Sequence, residues 1–200
     1  MKIRKSTAED VGSIMKIYER ARAFMAETGN PHQWGDAGWP FLSEIEDDNA
    51  NGTGYVCVLD ETDELRKVHP EEPTQDHAEN RKEELPGDIV GAFSLLYGEE
   101  PEPDYGTIEG PGWRRDGRYA VIHRVASSGT RKGVAAFCFA WAAEQYHYLR
   151  LDTHADNKVM QSAVEQFGFV YCRTVRHEDA PGDWPAYDYI KKEEPNHAGS

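Results

Sequence analysis

Apolar and polar positions recur along this chain regularly enough to place most of its elements before any composition is counted. Met1–Arg4 reads as a short first strand. Val11, Ile14, Met15, Tyr18, Ala21 and Met25 then recur at helical spacing and share one face of a long helix. Thr7 supplies an N-cap and Asp10 the reciprocal carboxylate at its start, and Gly29-Asn30-Pro31 ends it. The loop Pro31–Pro40 carries Trp34 and Trp39, and a short amphipathic helix from Phe41 to Asp48 follows, closed by Asn51-Gly52. Gly54–Leu59 and Asp88–Leu96 are rich in β-branched and aromatic residues and read as strands, as does Tyr119–Ala126. Gly133–Gln145 is so apolar all round that a fully buried helix is expected. Leu149–Thr153 is the next strand. Asp156 or Asn157 caps a further helix whose Val159, Met160, Ala163, Val164 and Phe167 form one face, ended by Gly168. Phe169–Val175 and Ala186–Ile190 close the chain as a hairpin around Asp179–Asp183. Strands followed by a strand-helix-strand-helix-strand run predict a mixed α/β sandwich with a parallel element in its sheet.

Composition changes this picture in three places. At 200 residues the chain suits one domain, expected over residues 1–192, with 193–200 as a flexible tail. Residues 61–87 hold nine acids against four bases and almost no apolar side chain, which predicts a mobile acidic insertion rather than core. The formal net charge of -14 repels phosphate backbones and anionic lipid surfaces, so neither nucleic acid nor membrane is an expected partner and cationic amines are favoured. Cys57, Cys138 and Cys172 leave one thiol over in any disulfide scheme and have apolar neighbours, which points to buried thiols in a reducing, cytoplasmic compartment. The longest apolar stretch, Val134–Ala143, is half of a membrane span, and MKIRKSTAED lacks the apolar core of a signal peptide.

Candidate chemistry concentrates in Tyr119–Ala135. A strand runs through Ser127-Ser128-Gly129-Thr130-Arg131-Lys132 and enters a helix at Gly133. Strand, glycine-containing loop and helix start form an anion-binding arrangement, because the first-turn N–H groups and the helix dipole face the ligand. Arg131 and Lys132 add charge there, although two solvated cations at an ordinary helix start fit the same spacing. Neither the G-x-x-x-x-G-K-[ST] loop nor the G-x-G-x-x-G fingerprint is present.

The C-terminal half adds a family likeness. HRVASSGTRKGVAAFCFAWA followed by LRLDTHADNKVMQSAVEQFGFVYC resembles the GNAT superfamily of acetyl-CoA-dependent N-acetyltransferases, and the likeness extends to the N-terminal strand and helix. Thr130-Arg131-Lys132-Gly133-Val134-Ala135 matches the later glycine and final small residue of that family's Q/R-x-x-G-x-G/A loop, with the leading base and first glycine displaced. A helix opened by Asn157 and closed by Gly168-Phe169 matches a second marker. The resemblance implies a central, mostly antiparallel sheet with a splayed parallel strand pair, flanked by helices. It also implies acetyl-CoA as co-substrate, no metal, and a small-molecule or peptide amine as acceptor. It assigns the cofactor to Val125, Ala126, Arg131, Lys132, Gly133, Val134, Ala135 and Asn157. A non-catalytic GNAT-fold acyl-CoA-binding or regulatory module is the main alternative, and a binder of phosphorylated ligands a third.

Within that framework His123 lies on the strand expected to face the thioester and is a candidate general base, or a strand histidine in a structural hydrogen bond. Arg124 alternates to the other face, where acids such as Asp152 are expected partners. Many family members place a proton-donating Tyr where this chain has Val164, which leaves Tyr171 as a substitute acid or a half-buried strand aromatic. Gln33 and Trp34, in the loop that the resemblance lays over the acceptor, and Tyr97 are candidate substrate contacts. Trp113 lines a ligand mouth or covers a core edge. Phe137, Cys138 and Trp141 read as core, with no cue that would activate Cys138. His154 beside Asp152 and Asp156 suggests a metal only superficially, since no spaced His or Cys set completes a shell.

Overall fold

The computed structural model describes residues 1–35, 38–60, 87–106, 111–177, 180 and 182–192. Its strands are β1 (Lys2–Lys5), β2 (Gly54–Val58), β3 (Ile89–Gly98), β4 (Tyr119–Ser127), β5 (Tyr148–Asp152), β6 (Val170–Val175) and β7 (Trp184–Ile190). Its helices are α1 (Val11–Glu27), α2 (Leu42–Asn51), α3 (Val134–Gln145) and α4 (Lys158–Phe167). This is the expected mixed α/β fold, with a sheet ordered β1-β2-β3-β4-β5-β7-β6. The β1–β2, β2–β3, β5–β7 and β6–β7 pairs are antiparallel, whereas β4 and β5 run parallel. The parallel ladder joins Ala120 to Leu149 and Val121 to Arg150 and then stops, although β4 continues to Ser127 and β5 to Asp152. The acidic insertion expected at 61–87 and the tail at 193–200 lie outside the described residues, Gly87 excepted.

The chain forms two compact units, Met1–Leu95 with His123–Cys138, and Leu96–Ile122 with Phe139–Ser200. In the first, the Thr7 backbone N–H donates to Asp10 Oδ2 at 2.9 Å, and the Arg4 guanidinium grips the same carboxylate at 2.6 and 2.8 Å. The Arg4 hydrogen bonds hold the Asp10 carboxyl below its ordinary pKa despite burial. That clamp joins β1 to the start of α1. One face of α1, Ile14, Ile17, Tyr18 and Met25, packs with Ile45 of α2, Val56 and Val58 of β2, Ala92 of β3, Ala126 of β4 and Trp34. Each large side chain so buried contributes about 1.5–3 kcal/mol, which is what fixes α1 against the strands.

In the second unit, Tyr105, Tyr119, Val121, Tyr148, Val175, Trp184 and Ala186 form the core. Phe139, Phe167, Phe169 and Tyr189 make a separate aromatic cluster with centroids 5.2–5.8 Å apart. Asn157 Oδ1 accepts the Met160 N–H at 3.0 Å and opens α4, which Gly168 ends at φ 111°. Two buried guanidiniums lie against the Trp113 ring, Arg150 at 4.2 Å and Arg173 at 4.6 Å, and its indole N–H donates to the Tyr105 carbonyl at 3.3 Å. It covers a core edge, the second of its two expected places.

Full burial of the apolar helix is corrected. Val134, Cys138, Phe139, Ala142 and Ala143 of α3 are buried, but Ala136 and Ala140 are exposed and Phe137 and Trp141 only half-buried. A helix laid on one layer shows its other face whatever its composition, and alanines cost little to leave there.

Candidate functional site

The first unit contains the run from β4 into α3. Arg124, inside β4, has φ +55°, a left-handed backbone that is unusual for any residue but glycine. Such a turn breaks the strand's alternation: His123, Arg124 and Val125 are all half-buried, followed by buried Ala126. Beyond Ser127 the Ser128 N–H donates to Val90 O at 2.9 Å, and the loop turns on Gly129 (φ 72°) and Gly133 (φ 80°). The first hydrogen bond of α3 is Phe137 N–H to Gly133 O at 3.0 Å, so the N–H groups of Val134, Ala135 and Ala136 lie ahead of the helical ladder. A Cβ at Gly133 would meet nothing within 4 Å, which leaves that helix start approachable. Arg131 and Lys132 flank it. Arg20 of α1 joins them, since a Cβ at Gly129 would lie only 2.9 Å from its Nε.

Beneath this run is a polar network. Arg124 Nη2 donates to Asp48 Oδ2 at 2.5 Å, and its guanidinium lies 5.5 Å over the Trp39 ring. The other Asp48 oxygen accepts from Ser94 Oγ at 2.9 Å and Thr53 Oγ1 at 2.8 Å. Trp39 meets Trp34 edge to face at 5.7 Å, and Trp34 meets Tyr18 at 5.6 Å. Burial raises the Tyr18 hydroxyl well above its ordinary pKa, only partly offset by Arg124. A pocket of about 10 Å³, room for roughly one water, is lined by Tyr18, Asp48 and Ser6 among others.

No family model matches the chain, and no curated protein matches it. Solved structures do. A GNAT-family acetyltransferase from Streptococcus agalactiae 2603 is 28% identical, with 96% of each chain covered and a TM-score of 0.74. The chain belongs to the GNAT superfamily of acyltransferases. Two more distant structures share the fold. The ribosomal-protein-alanine N-acetyltransferase of Brucella melitensis is 19% identical over 95% of this chain and 99% of its own, with a TM-score of 0.52. Arabidopsis thaliana NAA60, in complex with a bisubstrate analogue, is 13% identical over 95% and 97%, with a TM-score of 0.53.

Of the residues that sequence reasoning assigned to a GNAT site, the first unit holds His123, Val125, Ala126, Arg131, Lys132, Gly133, Val134 and Ala135, along with Gln33 and Trp34. Trp34 is 7% exposed and part of the core, so the half-buried indole beside Arg124 is Trp39 instead. Gln33 Oε1 accepts from Asn30 Nδ2 at 2.7 Å. Asn157, Tyr171 and Tyr97 belong to the second unit. The Asn157 side chain caps its own helix. Tyr97 is exposed, stacked on Tyr146 at 4.5 Å with Arg118 4.7 Å over its ring. Tyr171 is exposed on β6, at the edge of the sheet, and shares a 3.0 Å hydrogen bond with Thr174.

The expected Arg124–Asp152 pairing is corrected: Arg124 takes Asp48, and Asp152 is engaged by Tyr105 OH and His177, both at 2.7 Å. Cys138 is a core thiol whose pKa is pushed up by the Cys57 hydrogen bond and by burial, the wrong direction for a nucleophile. His154 Nδ1 accepts the Asp156 N–H at 3.2 Å, and among the described residues no group of three His, Cys, Asp or Glu is placed to hold a metal. Among them, too, no helix is long and apolar enough to cross a membrane. Sequence reasoning missed Arg20 and Asp48, whose importance comes from tertiary contact and leaves no local signal.

Proposed function

We propose that this GNAT protein transfers the acetyl group of acetyl-CoA directly to the amine of a small-molecule or peptide acceptor. One observation carries the reading: a strand redirected at left-handed Arg124 leads, through a glycine loop that includes Arg131 and Lys132 and has Arg20 beside Gly129, into an approachable helix start. Unpaired first-turn N–H groups and cations suit a diphosphate, so the residues present fit CoA. Acetyl-CoA, when bound, supplies an acyl group activated as a thioester. The N–H groups of Val134 and Ala135, with Gly133 leaving room and Arg131 and Lys132 adding charge, hold the diphosphate. The N–H of Val125 or Ala126 donates to the acyl oxygen and stabilises the negative charge that develops there. His123 takes the proton that the incoming ammonium must lose. A thiol with pKa near ~8.5 is a fair leaving group without a dedicated acid. The net charge of -14 favours cationic acceptors, and the buried thiols of Cys57, Cys138 and Cys172, none in a disulfide, suit the cytoplasm.

A panel of amines with acetyl-CoA and a free-thiol readout tests the proposal. Amine-dependent thiol release supports it; CoA binding without such release favours the non-catalytic module.

A further inference from the structure

We infer that the Asp48–Arg124 ion pair is a latch that holds β4 in its left-handed turn, so that Arg124 serves acyl transfer through its backbone, as a positioning residue for the N–H groups of Val125 and Ala126. The inference rests on the proposed acyl-transfer reading.

Glycine is the residue for φ near +55°, and an arginine there keeps the conformation only where something outweighs the strain. Its side chain supplies that. The side chain is 13% exposed, ion-paired at 2.5 Å and seated over Trp39. The anchor is itself fixed, because Asp48 accepts from Ser94 of β3 and from Thr53, and the Thr53 N–H donates to the Asp48 carbonyl at 2.9 Å. Arg124 Nε is buried with no hydrogen-bond partner, so carboxylate and indole, rather than complete hydrogen bonding, dictate where the guanidinium lies. A charge already neutralised by Asp48 has little to offer an anionic ligand. What the pair does dictate is the course of the strand: the turn at Arg124 sets the direction of the N–H groups that follow it.

The latch predicts that glycine can replace arginine better than alanine can, the reverse of the usual order inside a strand. In ligand-free thermal unfolding of the full chain, Arg124→Gly should melt at or above Arg124→Ala. In the acetyl-transfer assay the kcat of Arg124→Ala should fall about 5- to 30-fold below that of Arg124→Gly, the population shift expected from left-handed strain, with the same KM for acetyl-CoA in both. Asp48→Asn should lower kcat in the native background and not lower it further in the Arg124→Gly background, since Asp48 acts through Arg124. An Arg124→Ala protein that melts above Arg124→Gly overturns the latch whether or not the chain is an enzyme. Equal kcat losses in the two variants, or an Asp48→Asn loss that persists in the glycine background, overturn the positioning role. If the native protein releases no thiol with any amine, the acyl-transfer reading fails and the positioning role with it, while the melting order still decides the latch.

Discussion

His177 should make this protein lose stability in mildly alkaline solution. Its Nδ1 lies 2.6 Å from Asp104 Oδ2 and its Nε2 2.7 Å from Asp152 Oδ2. A neutral imidazole has one N–H, so only the imidazolium donates to both carboxylates. Burial opposes that charge, yet the hydrogen bonds and charges of Asp152 and Asp104 outweigh it and push His177 from 6.5 up to about 9. At ~1.36 kcal/mol per pH unit the displacement sets a ceiling of about 3.4 kcal/mol. Asp104 is 37% exposed, so solvent screening reduces the expected value to roughly 1–2 kcal/mol. Because the folded-state pKa is raised, the contribution is complete below pH 6.5 and is lost as pH climbs through about 9. Thermal unfolding of native protein and His177→Gln at several pH values from 6 to 9.5 isolates it from other titrations. The native protein's lead over the variant should shrink by roughly 2–8 °C across that range. A lead that stays constant, or an NMR titration that puts His177 below 7, would refute the reasoning.

Gly133→Asp adds a side chain where φ is 80° and a negative charge at the helix start, so acetyl-CoA should no longer raise the melting temperature; unchanged affinity by calorimetry would remove the loop from the phosphate site. Arg20→Gln should weaken CoA binding about 2- to 5-fold while leaving the KM for acetyl-pantetheine, which lacks the diphosphate, unchanged. A KM rise with both donors would count against a phosphate role. Gly91→Ala places a Cβ against Val134, 3.2 Å from the Ala126 carbonyl and 3.3 Å from Cys57 Cβ, and should cost about 1–3 kcal/mol in chemical denaturation. Native-like stability would mean that α3 can lift off β3 freely.

Local signals carried the elements and longer-range ones did not. Thr7 with Asp10, Asn157 with Gly168, and the apolar face of α1 act within a turn or two of themselves, so their effects can be read from spacing alone. The loop from Ser127 to Gly133 was legible for the same reason. Arg124 was not: strand alternation gives the face it occupies, but its partner is 76 residues away and its left-handed φ follows from that partnership. Trp34 and Trp39 stand in the same irregular loop with nothing local to tell which is buried; edge-to-face contact with Tyr18 takes Trp34 inside. His177 has no carboxylate nearby in sequence among its two partners, Asp104 and Asp152, so its charge state is a product of the fold.

The stack of Arg150, Trp113 and Arg173 bears on how this sequence can drift. Guanidiniums do not shed their protons, and here two of them share one indole, with Arg150 also 3.8 Å over the Tyr119 ring. Losing the indole would leave two permanent cations without the π-cloud that both of them contact. Lysine in place of either arginine would give up the flat stacking. The three positions are therefore tied: a descendant that abandons the tryptophan must give up an arginine as well, and the route between the two states passes through an unstable intermediate.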